Sequence, residues 1–418
     1  QEIPKRKEAS VTESQMSGKW PGGVISKTAP TVTGPTDGEG GSASGIWTLD
    51  QVADYTKQGL WPLPVQPKQA WGWGKNTYGQ LGLGDSTNKT SPLQVGALTD
   101  WQRNSCGDEH TLAVKQDGTL WAWGKGGDGR LGLGVGTSYS SPKQVGALTD
   151  WATPSGGGES SLCTKTDGTL WCWGGNGDGQ LGLGNTSYND SPAQVGALTT
   201  WAQASMGVKH SCAIKTDGTL WAWGYNGFGQ LGTNNTTGYS SPVQVGALTD
   251  WLYVRGATHS TYVIKTDGTL WAWGKNTKGQ LGQGNTTDYS SPVQVGALTD
   301  WSKIAAGGQG THAIKTDGTL WGWGDNGNGE VGDGTTTVRS SPIQIGALTD
   351  WSQIQHGGGH GEAIKTDGTF WNWGYYLALG QGSSTISRSS PTQLGALTTW
   401  NAVPIGGVCN GSVSLKTP

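Results

Sequence analysis

Three histidines recur at one position of a regular pattern and have the chemistry of metal ligands. His110, His210 and His360 each follow, at the same distance, the tryptophan that ends the motif GALT-(D/T)-W. Neutral imidazoles are common ligands of zinc and copper. Other copies of the pattern carry Ser160, Ser260, Gly310 and Cys409 at this position. A metal site would not draw on three non-adjacent units, so we expect these histidines to make structural hydrogen bonds.

The remaining chemical motifs do not build a catalytic centre. The segment GNGDGQLGLG (residues 175–184) is rich in glycine, like a phosphate-binding loop. However, no Lys-Ser/Thr pair follows it and it recurs in nearly every copy, so tight turns explain it better. No Ser/His/Asp set, carboxylate pair or ligand spacing stands out. We therefore predict no enzymatic activity, no cofactor and no bound metal.

The bulk composition argues against two classes of partner. The 418 residues include 27 Lys and Arg against 30 Asp and Glu, for a net charge of −3. A nucleic-acid surface needs an excess of basic residues, so we expect no nucleic-acid partner. No apolar run approaches the ~18 residues of a membrane span, so we expect no membrane insertion. The five cysteines lack the paired spacing of disulfide or zinc frameworks and are expected to be small buried residues: Cys106, Cys163, Cys172, Cys212 and Cys409.

The elements that would position any site are repeats. The motif WxWG begins every 50 residues, and its first tryptophans are Trp71, Trp121, Trp171, Trp221, Trp271, Trp321 and Trp371. The chain contains 24 Trp and 74 Gly but only 2 Phe, which indicates duplication of one unit. A fixed period of this length is typical of a repeat architecture.

The local pattern within each repeat is β. Short alternating runs flank the sequence TDGT, whose Asp-Gly pair is a strong hairpin signal. The segments TLWAWG and SPVQVGAL supply further strands, and Pro suits a strand start or edge. Seven repeats of four strands predict an all-β fold, a seven-bladed β-propeller of four-stranded blades.

The chain ends predict how the ring closes. The first WxWG lacks a preceding KTDGTL, and the segment after Trp400 matches the part of a repeat that precedes the hairpin turn. We therefore expect N- and C-terminal strands to share one blade, which removes free sheet edges. The WxW tryptophans are expected to pack between blades and to be the main source of stability.

The repeats resemble a known family. The pattern GxxHTxAIKTDGTLWAWGxNxxGQLGxG, followed by SPxxV, is similar to the regulator of chromosome condensation repeat, most clearly at residues 107–134 and 207–232. The resemblance spans about residues 65–418 and implies a seven-bladed propeller. It implies less about activity, since members include a small-GTPase exchange factor, ubiquitin-ligase components and enzyme-inhibiting bacterial propellers. The exchange factor uses a basic tail, whereas residues 1–70 here hold seven basic and seven acidic side chains.

The N-terminal segment carries a second resemblance. Residues 25–62 are similar to a segment of structural proteins in tailed, particularly marine, bacteriophages. Residues 1–46 are rich in Gly, Ser, Thr and Pro and are expected to be an extended arm. Residues 47–62 are expected to form a short helical anchor before the propeller at 63–418. The anchor side chains would be Trp47, Leu49, Val52, Tyr55 and Trp61.

The differences between copies are the place to look for recognition. They concentrate in three windows, after the GALT tryptophan, after WxWG and before Ser-Pro. Tyr and Arg are favoured as binding anchors, although loops free of constraint also drift, and the sequence leaves both explanations open. The candidate binding residues are Tyr78, Tyr225, Phe228, Tyr253, Arg255, Tyr375 and Tyr376.

Together these features predict a non-enzymatic structural or binding protein of a tailed-phage virion. It would be a capsid decoration or a tail or fibre component, held to other virion proteins through residues 1–62. Its propeller loops would bind a host-surface ligand or a neighbouring subunit. The alternative is a cellular, cytoplasmic protein-binding propeller, either a small-GTPase exchange factor or an enzyme inhibitor. A carbohydrate-active propeller and a homo-oligomer are also left open.

Overall fold

The computed structural model describes residues 66–382, 385–404 and 411–418. The predicted arm (1–46) and the predicted helical anchor (47–62) lie outside the described residues, as does Cys409. The same holds for the five anchor side chains, Trp47, Leu49, Val52, Tyr55 and Trp61. Within the described part of the chain we find no helix with the length and apolar content that a transmembrane span requires.

The described residues form seven antiparallel sheets of four strands, which confirms the predicted fold class. The first strand of each blade is β3 (Trp101–Cys106), β7 (Trp151–Gly156), β11 (Trp201–Met206), β15 (Trp251–Gly256), β19 (Trp301–Ala306), β23 (Trp351–His356) or β27 (Trp400–Ala402). The second is β4 (His110–Lys115), β8 (Ser160–Lys165), β12 (His210–Lys215), β16 (Ser260–Lys265), β20 (Gly310–Lys315), β24 (His360–Lys365) or β28 (Gly411–Lys416).

The remaining two strands of each blade follow the hairpin turn. The third strand is β1 (Gln69–Gly74), β5 (Leu120–Gly124), β9 (Leu170–Gly174), β13 (Leu220–Gly224), β17 (Leu270–Gly274), β21 (Leu320–Gly324) or β25 (Phe370–Gly374). The fourth is β2 (Lys89–Gln94), β6 (Tyr139–Gln144), β10 (Asn189–Gln194), β14 (Tyr239–Gln244), β18 (Tyr289–Gln294), β22 (Arg339–Gln344) or β26 (Arg388–Gln393). Two 3-10 turns, Gly127–Gly129 and Tyr376–Ala378, lie in the connections between third and fourth strands.

The first strands are innermost, and those of blades 2 to 7 contact each other from one blade to the next. The backbone N–H of Gly156 donates to Ser105 Oγ (2.9 Å), and that of Gly256 donates to Ser205 Oγ (3.1 Å). Each of these bonds joins the first strands of two adjacent blades. The fourth strands are outermost and partly exposed.

One blade is built from both ends of the chain, as predicted. Its strand order is β2-β1-β28-β27. Strands β1 and β28 pair antiparallel from Gln69 opposite Lys416 to Gly74 opposite Gly411. We number this mixed blade 1, and the blades that follow in sequence are blades 2 to 7.

The second tryptophan of each WxWG motif holds adjacent blades together. Its side chain is fully buried, and its indole N–H donates to a backbone carbonyl of the preceding blade. The seven bonds are Trp73 to Ala378 (2.9 Å), Trp123 to Gln80 (3.0 Å), Trp173 to Arg130 (3.0 Å), Trp223 to Gln180 (2.9 Å), Trp273 to Gln230 (3.0 Å), Trp323 to Gln280 (2.7 Å) and Trp373 to Glu330 (2.8 Å). At each junction the indole ring is thus buried while its N–H group keeps a hydrogen-bond partner.

The second glycine of the GQLG motif makes room for this tryptophan. At Gly182, φ is +71°, and a Cβ would lie 2.7 Å from Nε1 of Trp223. Any side chain there would collide with the ring, and its residue would have to adopt the left-handed conformation that glycine tolerates best.

The two tryptophans of the motif are not equivalent, contrary to the expectation that both pack as a pair. The first, Trp221 in blade 4, is only partly buried, and its Nε1 donates to Thr219 Oγ1 (2.9 Å). Its ring packs on the GALT tryptophan, Trp201, with centroids 6.4 Å apart. Most of the burial therefore belongs to the second tryptophan, such as Trp223.

The repeated histidines make the hydrogen bonds that were expected in two blades. Nε2 of His110 lies 2.8 Å from Ser161 Oγ, and Nε2 of His210 lies 3.0 Å from Thr261 Oγ1 in the next blade. Burial lowers the pKa of each imidazole to about 3. The four described cysteines are free and buried, also as expected: Cys106, Cys163, Cys172 and Cys212.

We predict that Trp323→Ala destabilises the propeller far more than Trp321→Ala. The first change opens a cavity and leaves the carbonyl of Gln280 without the indole donor, so we expect a loss of about 3–5 kcal/mol in the free energy of unfolding. Trp321 is partly exposed and should contribute clearly less. Denaturant titrations followed by circular dichroism measure both, and equal losses would contradict the assignment.

We predict that stability falls on acidification through the buried histidines. The folded-state pKa of His210 is about 3, below the ordinary value of 6.5. Between these values the unfolded chain binds a proton that the folded chain does not, so stability is full above the higher value and is lost as pH falls toward the lower one. His210→Ser introduces the residue found in blades 3 and 5. Its unfolding free energy should fall less steeply across this window in denaturant titrations, whereas an unchanged slope would refute the role of His210.

Candidate functional site

The connections of the propeller lie on two opposite faces. The face that we call the loop face carries the connections from first to second strand and the longer ones from third to fourth strand. The opposite face, the turn face, carries the TDGT turns and the GALT linkers. The TDGT and GALT sequences barely change between repeats, whereas the residues after each WxWG motif vary. That variation is presented on the loop face.

In five blades a buried asparagine holds the long loop by hydrogen bonds. In blade 4, Nδ2 of Asn226 donates to the carbonyls of Asn235 (3.0 Å) and Thr237 (2.9 Å), while its Oδ1 accepts from the N–H of Leu231 (2.9 Å). Buried asparagines at the same repeat position are Asn76, Asn176, Asn276 and Asn326. Because these side chains replace missing backbone partners, the loops are organised before any ligand arrives.

Three variable positions of the repeat meet where adjacent blades touch on the loop face. Between blades 1 and 2 they are Tyr78, Glu109 and Lys125. The Lys125 ammonium lies 2.7 Å from Glu109 Oε2 and 4.8 Å from the centre of the Tyr78 ring. Burial acts to raise the pKa of Glu109, but Lys125 brings it below its ordinary value. Between blades 5 and 6 an ion pair joins the positions of Tyr78 and Lys125, namely Lys278–Asp325 (3.5 Å).

Between blades 4 and 5 the same positions hold Phe228, His259 and Lys275, and Tyr225 lies three residues before Phe228. We define Tyr225, Phe228 and His259 as the aromatic patch. The centre of the Phe228 ring lies 6.2 Å from that of Tyr225 and 5.1 Å from that of His259. The Tyr225 and His259 ring centres are 5.9 Å apart. All three side chains are partly exposed, so the patch is open to a partner while its geometry is fixed by neighbouring rings.

The side chains of the aromatic patch carry no charge at neutral pH, and two lysines lie at its edge. Partial burial, followed by the charges of Lys275 and Lys209, lowers the pKa of His259, so the imidazole is uncharged at neutral pH. Lys275 lies 4.9 Å from the centre of the Phe228 ring and makes no ion pair within the described residues. Lys209 is paired with Asp178 at 3.1 Å. One ammonium beside the aromatic surface is thus free to meet an acidic group.

The other predicted binding residues lie in separate places. Tyr375 and Tyr376 contact each other in blade 7, with ring centres 4.4 Å apart and hydroxyl oxygens 3.3 Å apart. The Tyr376 hydroxyl raises the pKa of Tyr375. Tyr78 is 37% exposed beside Lys125.

Tyr253 and Arg255 do not belong to the variable loops. Both lie on β15, an innermost strand, and the Arg255 guanidinium carbon is 4.8 Å from the centre of the Tyr253 ring. Arg255 stands where blades 2, 3 and 4 have a serine that bonds the next blade. The structure therefore brings Tyr225 and Phe228 together, whereas Tyr253 packs against the core between blades 5 and 6 with Arg255 beside it.

Sequence reasoning missed two members of the site. His259 and Lys275 are in blade 5 and contact residues of blade 4, more than 30 positions earlier in the chain. Their only sequence signal is that both lie in windows that vary between copies. In the described part of the chain, no three His, Cys, Asp or Glu side chains come together as metal ligands.

Comparison with known protein families identifies the repeat. The model described as "Regulator of chromosome condensation (RCC1) repeat" matches residues 69–114, 167–214, 217–264, 267–314 and 317–364. A second model of the same description matches residues 105–130, 201–230 and 301–330. These matches cover more than half of the chain and fall on the blades described above.

Solved structures support the same architecture. The chain is similar to Prp20p from Saccharomyces cerevisiae, with a TM-score of 0.73, 21% identity, and coverage of 85% of this chain and 92% of that one. Human WBSCR16 gives a TM-score of 0.73 and 21% identity, covering 85% and 99%. Yeast RCC1 (Prp20) bound to Kap60 gives 0.74 and 21%, covering 93% and 96%. At this identity the likeness establishes the fold.

The expectation of a phage virion protein is wrong. It was based on residues 25–62, a short segment outside the described residues, whereas the repeat matches extend along the propeller. The similar structures are cellular propellers, which agree with the alternative of a cellular protein and not with virion partners or a host-surface ligand. The chain belongs to the regulator of chromosome condensation (RCC1) repeat family.

Proposed function

We propose that this chain is a cellular, non-catalytic propeller that binds a protein partner through its loop face. The observation that carries the proposal is the aromatic patch, in which Tyr225, Phe228 and His259 are partly exposed yet fixed by contacts across a blade junction. Rigid aromatic side chains are favoured anchors because little conformational entropy is lost when they bind.

The chemistry around the patch indicates the kind of segment that it would bind. Apolar ring surface lies beside the ammonium of Lys275, which has no ion-pair partner among the described residues, and His259 adds no positive charge at neutral pH. A protein segment that carries an acidic residue next to an apolar one would satisfy both features. The candidates Tyr78, Tyr375 and Tyr376 would extend the contact along the same face, and Tyr253 with Arg255 would serve a ligand that reaches the innermost strands.

The family relationship is consistent with this role. The structure of yeast Prp20p was described with its binding properties to Gsp1p and histones, and yeast RCC1 (Prp20) was solved bound to Kap60. Those partners belong to that protein. What we carry over is the use of a propeller as a protein-binding scaffold, since function depends on the site and not on the fold.

We predict that the double variant Tyr225→Gly/Phe228→Asp loses the partner without loss of fold. Both new residues occur at the same positions in blade 3, as Gly175 and Asp178, so the blades should still form. We expect partner affinity to fall at least about tenfold, because removal of a buried aromatic anchor has an effect of this size or larger. The measurement is quantitative affinity capture from the source cells, followed by titration of the purified partner.

The matched control is Leu298→Ala on the turn face, which removes a side chain that is 42% exposed. It should retain the partner. Retention of the partner by both variants would exclude the aromatic patch as the binding site. A nucleotide-release assay on a captured small GTPase would separate an exchange factor from an enzyme inhibitor.

A further inference from the structure

A lysine at the end of the second strand is neutralised in five blades. Its ammonium lies over the aromatic rings of its own blade and pairs with the aspartate that precedes the GALT tryptophan. The pairs are Lys115–Asp100 (3.2 Å), Lys165–Asp150 (3.3 Å), Lys265–Asp250 (3.3 Å), Lys315–Asp300 (3.4 Å) and Lys365–Asp350 (3.4 Å). The repeat thus provides one cation and one carboxylate at the same place.

Blade 4 keeps the cation and lacks the carboxylate. Thr200 stands where the aspartate is expected, and Lys215 makes no ion pair within the described residues. Its Nζ lies 3.6 Å from the centre of the Trp221 ring and 5.1 Å from that of Trp201. The nearby turn carboxylate, Asp217, is bonded to the hydroxyl of Thr219 at 2.6 Å. Burial lowers the pKa of Lys215, as expected for an ammonium whose charge is poorly compensated.

This lysine lines a cavity of about 390 Å³ at the contact of blades 3 and 4. The wall is largely apolar and includes Leu183, Leu198, Trp201, Trp221 and Pro242. The volume lies in the range of small-molecule sites, and such sites combine apolar walls with a few placed polar groups. Lys215 is the charged group among the lining residues.

We propose that this cavity binds an organic carboxylate with an apolar body. The carboxylate would meet Lys215 in the role that aspartate has in five other blades, and the apolar body would lie against Trp221, Leu198 and Pro242. A phosphate group fits less well, because a doubly charged group needs more donors than one ammonium supplies. A small metabolite and the C-terminus of a protein chain that ends in an apolar residue share this chemistry.

The other repeat without the aspartate offers a matched control. Thr399 precedes the GALT tryptophan of blade 1, where Lys416 lies 4.6 Å from the centre of the Trp71 ring. Thr200→Asp and Thr399→Asp are therefore the same change in two blades. Each restores the residue found in the other five copies, so both variants should fold.

The test is isothermal titration of the full chain with phenylacetate and with its neutral analogue, phenylacetamide. We expect phenylacetate to bind, and phenylacetamide to bind at least about tenfold more weakly because it lacks the charge. Thr200→Asp should weaken phenylacetate binding by a similar factor, since the new carboxylate occupies Lys215. Thr399→Asp should leave it unchanged.

Three results would overturn the proposal: equal binding of the acid and the amide, full binding to Thr200→Asp, or equal loss in Thr399→Asp. A peptide that ends in phenylalanine, with a free or an amidated C-terminus, identifies the source of the carboxylate. Selective binding of the free peptide points to a protein C-terminus, and binding of phenylacetate alone points to a metabolite. Phe228→Asp on the loop face should not affect either titration, so this test is independent of the proposed protein partner.

Discussion

The ring depends on one hydrogen bond that is repeated at every blade junction, from an indole N–H to a backbone carbonyl of the preceding blade. It fixes both the spacing of the blades and the path of the long loop that supplies the carbonyl. In most junctions that carbonyl also accepts a hydrogen bond from a hydroxyl group, as the Gln180 carbonyl does from Ser211 Oγ at 2.7 Å. The glycine beside it cannot carry a side chain because the ring fills that volume. Tryptophan, glycine and the hydroxyl residue are therefore constrained together.

Much of the fold could be predicted from the sequence, because the same constrained residues recur in each repeat. Period, strand number and closure by both chain ends follow from the WxWG and GALT motifs, and β1 pairs with β28 accordingly. The unequal burial of Trp221 and Trp223 could not be predicted, because alternation along one strand does not say how far each residue lies from the outer edge. The aromatic patch was half predicted, since Tyr225 and Phe228 are close in sequence. The participation of His259 was not predicted, because this residue contacts Tyr225 and Phe228 only across the junction between two blades.

The variable residues of the loop face contact each other across the blade junctions. Tyr78 contacts Lys125, Lys209 pairs with Asp178, and Lys278 pairs with Asp325. A substitution at one of these positions therefore alters a contact with the next blade, whereas the strand sequences are nearly the same in all repeats. Exposed pairs of this kind add little stability. Their larger effect is to give each junction its own chemical character on an otherwise repetitive ring.

The mixed blade has a consequence for synthesis. Strands β1 and β2 leave the ribosome before the rest of the propeller, yet the partner of β1, strand β28, is translated last. During elongation β1 therefore presents an unpaired edge, which invites association with other strands. A chain that terminates early keeps that edge for its lifetime. Closure of the ring thus distinguishes a chain that includes β28 from one that ends before it, and the shorter chain keeps an edge that chaperones and proteases can recognise.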